Sequence, residues 1–441
     1  MSTSNRPDAI DTVLPPQQRG RAGRSATVAE AMAAIDDGAR VYVSPTCSVP
    51  TSLVDAMTEA RDRWSHVELI TDYLLEPLSA FDHPGAPFHL TSLQPSRAVE
   101  QMRAAGALST VPVTYSQFFS VLRPGGRHPV DVALMQVSEP GPDGRFSLGV
   151  GVGTNIEILR AAPLVIAEVN PNMPYTFGAG EVERDEIDLL VEVDHPLVEL
   201  AVPEPDETAL TIGRHTASLI EDGAVLQFGI GAIPESVLAA LGDRSDLGIH
   251  GGMVGDTVID LVEAGVMTGA RKNVDNGKMV VAAVLGTRRS FEWSHRNDAI
   301  YTAPSSYSHG PAALSAIDRF VAINSALSIA ADGSANAEVA GSRVLSGPGG
   351  QPDFALGASA SPSGLSIIAM PSTASGGTRS RIVPELPPGT STTIPRYLVD
   401  AVVTEFGIAR LRGLPLEERP AALASIARPD FRDELCRATV A

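Results

Sequence analysis

The sequence contains an internal repeat, which restricts what the chain can fold into more than any other feature it has. Near the start runs Ile35-Asp-Asp-Gly-Ala-Arg-Val-Tyr-Val43, then a short loop, then Pro50-Thr-Ser-Leu-Val-Asp-Ala-Met57. Near the middle runs Ile220-Glu-Asp-Gly-Ala-Val-Leu-Gln-Phe228, a short loop, then Pro234-Glu-Ser-Val-Leu-Ala-Ala-Leu241. Asp37, Gly38 and Ala39 align with Asp222, Gly223 and Ala224; Pro50 and Ala56 align with Pro234 and Ala240 after a one-residue gap. Each copy follows the same local physics. An Asp-Gly pair closes a helix, because glycine takes the left-handed conformation easily. A short apolar strand follows, and a loop of small residues then leads to a helix with proline in its first turn, where the missing N–H costs nothing. The unit is a βα element used twice.

Further strands are predicted at Val67-Glu-Leu-Ile-Thr, Val132-Ala-Leu-Met-Gln-Val, Leu164-Val-Ile-Ala-Glu-Val and Lys278-Met-Val-Val-Ala-Ala-Val, with helical patterns between them. Strands alternating with helices predict an α/β fold whose mostly parallel sheets are covered on both faces. The polar, proline-bearing segment Val202-Pro-Glu-Pro-Asp-Glu reads as a link. The expected organisation is therefore a loose tail over residues 1–24, one α/β domain over 25–205 and a second over 206–441.

Composition narrows the function. A net charge of −19 argues against a nucleic-acid or anionic-membrane surface. No apolar run approaches the ~18 residues that span a bilayer. The first 24 residues lack the apolar core of a signal peptide. Two cysteines, Cys47 and Cys436, build neither a disulfide framework nor a cysteine-rich metal site, which suits a reducing cytoplasm. The nine histidines never fall at close ligand spacing, so no metal is expected. Gly-x-Ser-x-Gly is also absent.

Four segments carry candidate chemistry. In Gln227-Phe-Gly-Ile-Gly-Ala-Ile-Pro234, glycines permit close backbone approach and the following helix offers free N–H groups to an anion. A plain tight turn reads the same way. A dinucleotide fingerprint does not fit, because Pro234 stands where the third glycine belongs. Gly248-Ile-His-Gly-Gly-Met-Val-Gly-Asp256 reads as a short strand, Leu247 to His250, then a glycine-rich loop and a helix from Val258. In Ser346-Gly-Pro-Gly-Gly-Gln-Pro-Asp-Phe354, consecutive glycines can aim successive N–H groups at one point, as an oxyanion hole does. The hydroxyl-rich Pro371 to Pro384 stretch, with Arg379 and Arg381, suits an anion or solvent equally.

Taken in order, these segments resemble the acetyl-CoA hydrolase/transferase family, which includes 4-hydroxybutyrate and acetate CoA-transferases. The resemblance runs from about residue 28 to about 435. It is carried by Pro142-Asp-Gly-x-Phe-Ser-Leu-Gly149, Glu168-Val-Asn-Pro-Asn-Met-Pro174, Gly229-Ile-Gly-Ala-Ile-Pro234, Leu247-Gly-Ile-His250 and Ile323-Asn-Ser-Ala326. Further along are Gly349-Gly-Gln-x-Asp-Phe354, Pro371-Ser-Thr-Ala374, Ser380-Arg-Ile-Val-Pro384, Val403-Thr-Glu-Phe-Gly407 and Arg428-Pro-Asp-Phe431. The resemblance implies two tandem CoA-transferase-type (NagB/RpiA-like) α/β domains with the active site between them, acyl-CoA as substrate, a small carboxylate as acceptor, and oligomers that are often homodimers. It also implies coenzyme A held by Gln227, Gly229, Gly231, Ile233 and Pro234, with Asn324 and Gln351 nearby and Gly349 and Gly350 at the thioester carbonyl.

One departure bears directly on mechanism. The family follows its histidine with Thr-Glu-Met, and that glutamate is the nucleophile; here the segment is His250-Gly-Gly-Met253, and Gly252 stands at the glutamate's place. No glutamate lies between Ser236 and Val262. Gly255 replaces the serine of the next family motif, Thr257 its glycine, and Leu356 a usual arginine, while Asp256 remains. Three functions follow. The first is an acyl-CoA hydrolase or C–C-cleaving acyl-CoA enzyme, with water in the vacated space, Asp256, Asp353 or Glu405 as base and Gly349 and Gly350 as oxyanion donors. The second is a CoA-transferase using another carboxylate. The third is a non-catalytic acyl-CoA-binding protein. Of the three acids, Glu405 reads best as structural.

Overall fold

The computed structural model describes residues 14–83 and 86–438. Two compact units emerge. The first runs through Leu200 and takes in Met253–Gly255 and Val280–Ser308; the second comprises Ala201–Gly252, Asp256–Met279 and the chain from His309 on.

The first unit is built on a sheet in the order Arg24–Ser25, Leu189–Glu192, Leu164–Val169, Val132–Val137, Arg40–Val43, Val67–Thr71, Phe88–Ser92, Leu108–Thr110. Every pairing in it is parallel. Alternation along a strand sends side chains to both faces. Val41, Val43 and Leu69 enter one buried cluster with Leu53 and Met57, while Tyr42 and Ile70 enter another with Ile156 and Leu159. A sheet buried on both faces needs apolar residues at nearly every strand position, and the Val132–Val137 strand is buried at all of them.

In the second unit the strands run Gly248–Val254, Val225–Phe228, Phe320–Asn324, Leu365–Ala369, Ala401–Thr404, Gly407–Arg410. Their pairings are parallel up to the last, which is antiparallel. The Arg40–Val43 and Val225–Phe228 strands hold the same place. Each is flanked on one side by the next strand in the chain and on the other by the strand after a long excursion. The Asp-Gly punctuation works as expected. Gly38 and Gly223 have φ of +79° and +74°, and Asp37 and Asp222 accept from the Ser65 and Ser245 N–H groups, both at 2.8 Å. Pro50 caps the helix Thr51–Glu59 from outside, and Pro234 lies in the first turn of Ala232–Ala239.

Two local expectations need correction. The glycine-rich segment after His250 is not a loop: the strand continues from Gly248 to Val254 and the helix begins at Asp256. Of the expected loose tail, residues 1–13 lie outside the described residues, and the stretch from residue 14, though mostly exposed or half-buried, is tied to the first unit at a few points. Arg24–Ser25 pairs with Leu189 and Leu190, and Arg21, which ion-pairs with Asp188, donates to the Ala162 carbonyl at 2.6 Å. Among the described residues no helix is long and apolar enough to cross a membrane.

Candidate active site

The Gly229–Pro234 loop leaves the carboxyl end of the Val225–Phe228 strand, where open α/β sheets bind ligands. Gly231 has φ +117° and is the N-cap of the helix Ala232–Ala239, with no side chain of its own to bond the first N–H groups. A Cβ at Gly229 or Gly231 would meet nothing within 4 Å, so both face open space. Gln227, buried beneath the loop, exchanges amide contacts with Asn324, whose Nδ2 donates to Gln227 Oε1 at 3.0 Å. The corresponding helix of the first unit differs. Glu168 accepts from the Leu53 N–H at 2.6 Å and contacts His195 Nε2 at 2.9 Å, so a carboxylate of the chain itself already fills that helix start. The helix that follows Gly231 has a positive N-terminal dipole of the kind that suits an anion.

Gly252 and Gly350 converge on one aromatic pair. A Cβ at Gly252 would lie 3.4 Å from His309 Nε2 and 4.0 Å from Phe354 Cζ, which is ordinary contact. A Cβ at Gly350 would lie 2.5 Å from His309 Cδ2 and 2.8 Å from Phe354 Cε2, which is a clash. The His309 and Phe354 rings pack with centroids 4.4 Å apart. Burial lowers the His309 pKa to about 3, so the ring is neutral at physiological pH. Gly349 has φ +55° and Gly350 φ −84°, opposite signs in succession as a backbone nest requires. Gly350 also caps the helix Gln351–Ala360, and the Gln351 side chain donates to the Ser325 carbonyl at 3.0 Å.

The candidate acids separate. Asp353 is buried in the first turn of the helix that Gly350 caps. Asp256 opens the following helix of the Gly252 strand beside Thr257, whose hydroxyl donates to Glu235. Burial, opposed by the Thr257 bond and aided by Asp256, raises the Glu235 pKa. Glu405 accepts from the Ser372 N–H at 2.9 Å and its hydroxyl at 2.5 Å, fastening the Pro371 loop. Leu356 is exposed. Two residues escaped the sequence reading. Glu235 directly follows Pro234, at the edge of the Ser236–Val262 stretch that holds no glutamate, so its signal is present in the sequence. His309 is an isolated histidine before Gly-Pro, and nothing local marks it. Among the described residues no group of three or more His, Cys, Asp or Glu is placed to hold a metal ion.

Two mostly parallel sheets, one with a glycine loop between a strand's carboxyl end and the following helix, define the class as an α/β protein of the kind that binds ligands at that edge. Family models match over most of the chain: the acetyl-CoA hydrolase/transferase N-terminal domain over residues 21–200 and the C-terminal domain over 286–439. The 4-hydroxybutyrate coenzyme A transferase of Clostridium kluyveri is 38% identical over 93% of this chain and 95% of its own. The butyryl-CoA:acetate CoA-transferase of Anaerostipes caccae is 33% identical, covering 93% and 94%. The crystal structure of a 4-hydroxybutyrate CoA-transferase from Porphyromonas gingivalis superposes with a TM-score of 0.80 at 32% identity, covering 93% of this chain and 96% of that one. The chain belongs to the acetyl-CoA hydrolase/transferase family.

Proposed function

We propose that this enzyme hydrolyses acyl-CoA thioesters, with coenzyme A seated on the Gly229–Pro234 loop and water in place of a carboxylate nucleophile. The observation that carries this is Gly252: its missing side chain would fit beside His309 and Phe354, next to the Gly349–Gly350 nest. Covalent catalysis needs a reactive side chain within attacking distance, and glycine has none. In this reading Asp353, one helical turn from Gly350, takes a proton as water attacks the thioester carbonyl. The oxyanion accepts the Gly349 and Gly350 N–H groups. The C–S bond breaks, and Asp353 returns the proton to the departing thiolate, leaving a carboxylic acid and free CoA. Gln227 and Asn324 brace the loop from below.

A second reading, CoA transfer to a small carboxylate, is favoured by the names of the two relatives above; it requires a carboxylate other than one at position 252. A panel of acyl-CoAs, scored for free CoA with and without acetate or succinate, separates them. Release without an acceptor supports hydrolysis. Release only with one supports transfer, and binding without turnover overturns both.

A further inference from the structure

His309 meets Gly252 and Gly350 with one particular atom. Of the three atoms nearest a Gly252 Cβ, its Nε2 lies at 3.4 Å and its Cε1 at 3.6 Å. Of the three nearest a Gly350 Cβ, its Cδ2 lies at 2.5 Å and its Nε2 at 2.7 Å. Nε2 is the ring vertex between Cε1 and Cδ2, so that corner of the imidazole is directed at both glycines. It is also the only nitrogen or oxygen in either set; every other atom is a carbon of His309 or Phe354.

Packing holds the ring in this place. His309 is buried and lies between the short helices Ser305–Ser308 and Pro311–Ser315. Phe354, against which it packs, belongs to the helix that Gly350 caps, so one element fixes both the ring and the nest. Neither Gly252 nor Gly350 has a positive φ. The φ of −84° at Gly350 is open to any residue, so it is the two rings, and not the backbone, that require glycine there. The buried imidazole is neutral, so one of its nitrogens accepts a hydrogen bond and the other donates one.

We propose that His309 orients the attacking water, its Nε2 accepting one water hydrogen beside Gly252 while Nδ1 carries the ring proton. The inference rests on the hydrolysis reading above and names a second group that holds the nucleophile. The water oxygen bonds to the thioester carbonyl carbon. One of its protons passes to Asp353, and the other stays on the oxygen, hydrogen-bonded to Nε2. When the C–S bond breaks, Asp353 gives its proton to the departing thiolate, and the retained proton leaves with the carboxylic acid. The imidazole neither gains nor loses a proton. Two acceptors, one for each hydrogen, turn the water's lone pair toward the carbonyl, which is the part of the barrier that orientation removes.

The test uses the full chain and the acyl-CoA that wild type hydrolyses fastest without an acceptor. His309→Phe keeps a ring against Phe354 and removes the acceptor. It should lower kcat by about 100-fold, as loss of one preorganised hydrogen bond does, with KM within about twofold of wild type. His309→Gln sets an amide oxygen near the Nε2 position and should regain about tenfold of that loss. His309→Asn, whose amide reaches only as far as Nδ1, should regain none. Circular dichroism and Tm report whether each variant folds; should His309→Phe not fold, the contrast between Gln and Asn decides. A folded His309→Phe with wild-type kcat, a change in KM alone, or equal kcat in the Gln and Asn variants overturns the role of His309 and leaves hydrolysis standing. Wild type that releases no CoA without an acceptor overturns the hydrolysis reading, and this inference with it.

Discussion

At Gly350 even a methyl group is too large. Gly350→Ala drives a Cβ into His309 and Phe354, and overpacking of this kind costs about 1–3 kcal/mol. Gly252→Ala meets the same two rings at ordinary contact distance and should shift stability by less than about 0.5 kcal/mol. Urea unfolding of the two variants checks the contrast; equal losses would mean that the rings move aside freely. Gly252→Glu goes further. It places a carboxylate beside the nest and, if the proposed site is right, should yield a glutamyl-CoA adduct that borohydride traps, together with some acetate-dependent exchange. Wild type should give no adduct at any glutamate by mass spectrometry. At this scale the sequence shows what is missing better than what surrounds it. Gly252 stands out in the sequence because ten short motifs fix the expected alignment around it. The His309 and Phe354 rings beside Gly252 are far from it in sequence, and no spacing rule connects them.

The open helix start is a property of an element. Gly231→Glu should abolish CoA binding in a protein that still folds, measured by calorimetry, because φ of +117° disfavours any side chain and a carboxylate repels phosphate at that dipole. Unchanged affinity would move the CoA site elsewhere. The loop and both its glycines were legible from sequence, since strand, glycines and first-turn proline occur in the order that βα units need. The length of the Gly248–Val254 strand was not. Glycine is depleted in strands, so a Gly-Gly pair reads as a loop. Here the neighbouring strand requires it: a Cβ at Gly251 would lie 3.1 Å from the Gln227 Cγ.

For the whole molecule, duplication was the most legible feature, because two copies of one punctuation pattern survive in the chain. What each copy became was not legible from that pattern. Two buried carboxyls of the first unit carry a pH signature. Burial raises Asp72 from 3.8 and Glu157 from 4.5 to about 7. The unfolded chain releases these protons near pH 4, while the folded chain keeps them to about 7. Their contribution is therefore fully present below about 4 and is lost as pH rises through about 7. His309, lowered from 6.5 to about 3, acts with the opposite sign between those values. An Asp72→Asn/Glu157→Gln double variant should gain on wild type, on the order of 1 kcal/mol per pH unit per carboxyl at most, as pH rises from 5 to 7. A constant difference across that range would mean that neither carboxyl holds its proton.

The chain has only two lysines, Lys272 and Lys278, and both lie in one short stretch. Lys272 is 3% exposed, and its Nζ donates to the Ile249 carbonyl at 2.9 Å and the Lys278 carbonyl at 2.6 Å, tying down the strand that carries Gly252. Burial lowers its pKa to about 8 in the folded chain, but the buried amine is out of reach of a reagent until the strand releases it. An isotope-coded acylating reagent therefore has two side-chain targets in this protein. Lys278 should label promptly, and Lys272 only at the rate at which the strand detaches. The mass ratio between the two then acts as a stopwatch for the opening of the candidate active site, read from a single tryptic region.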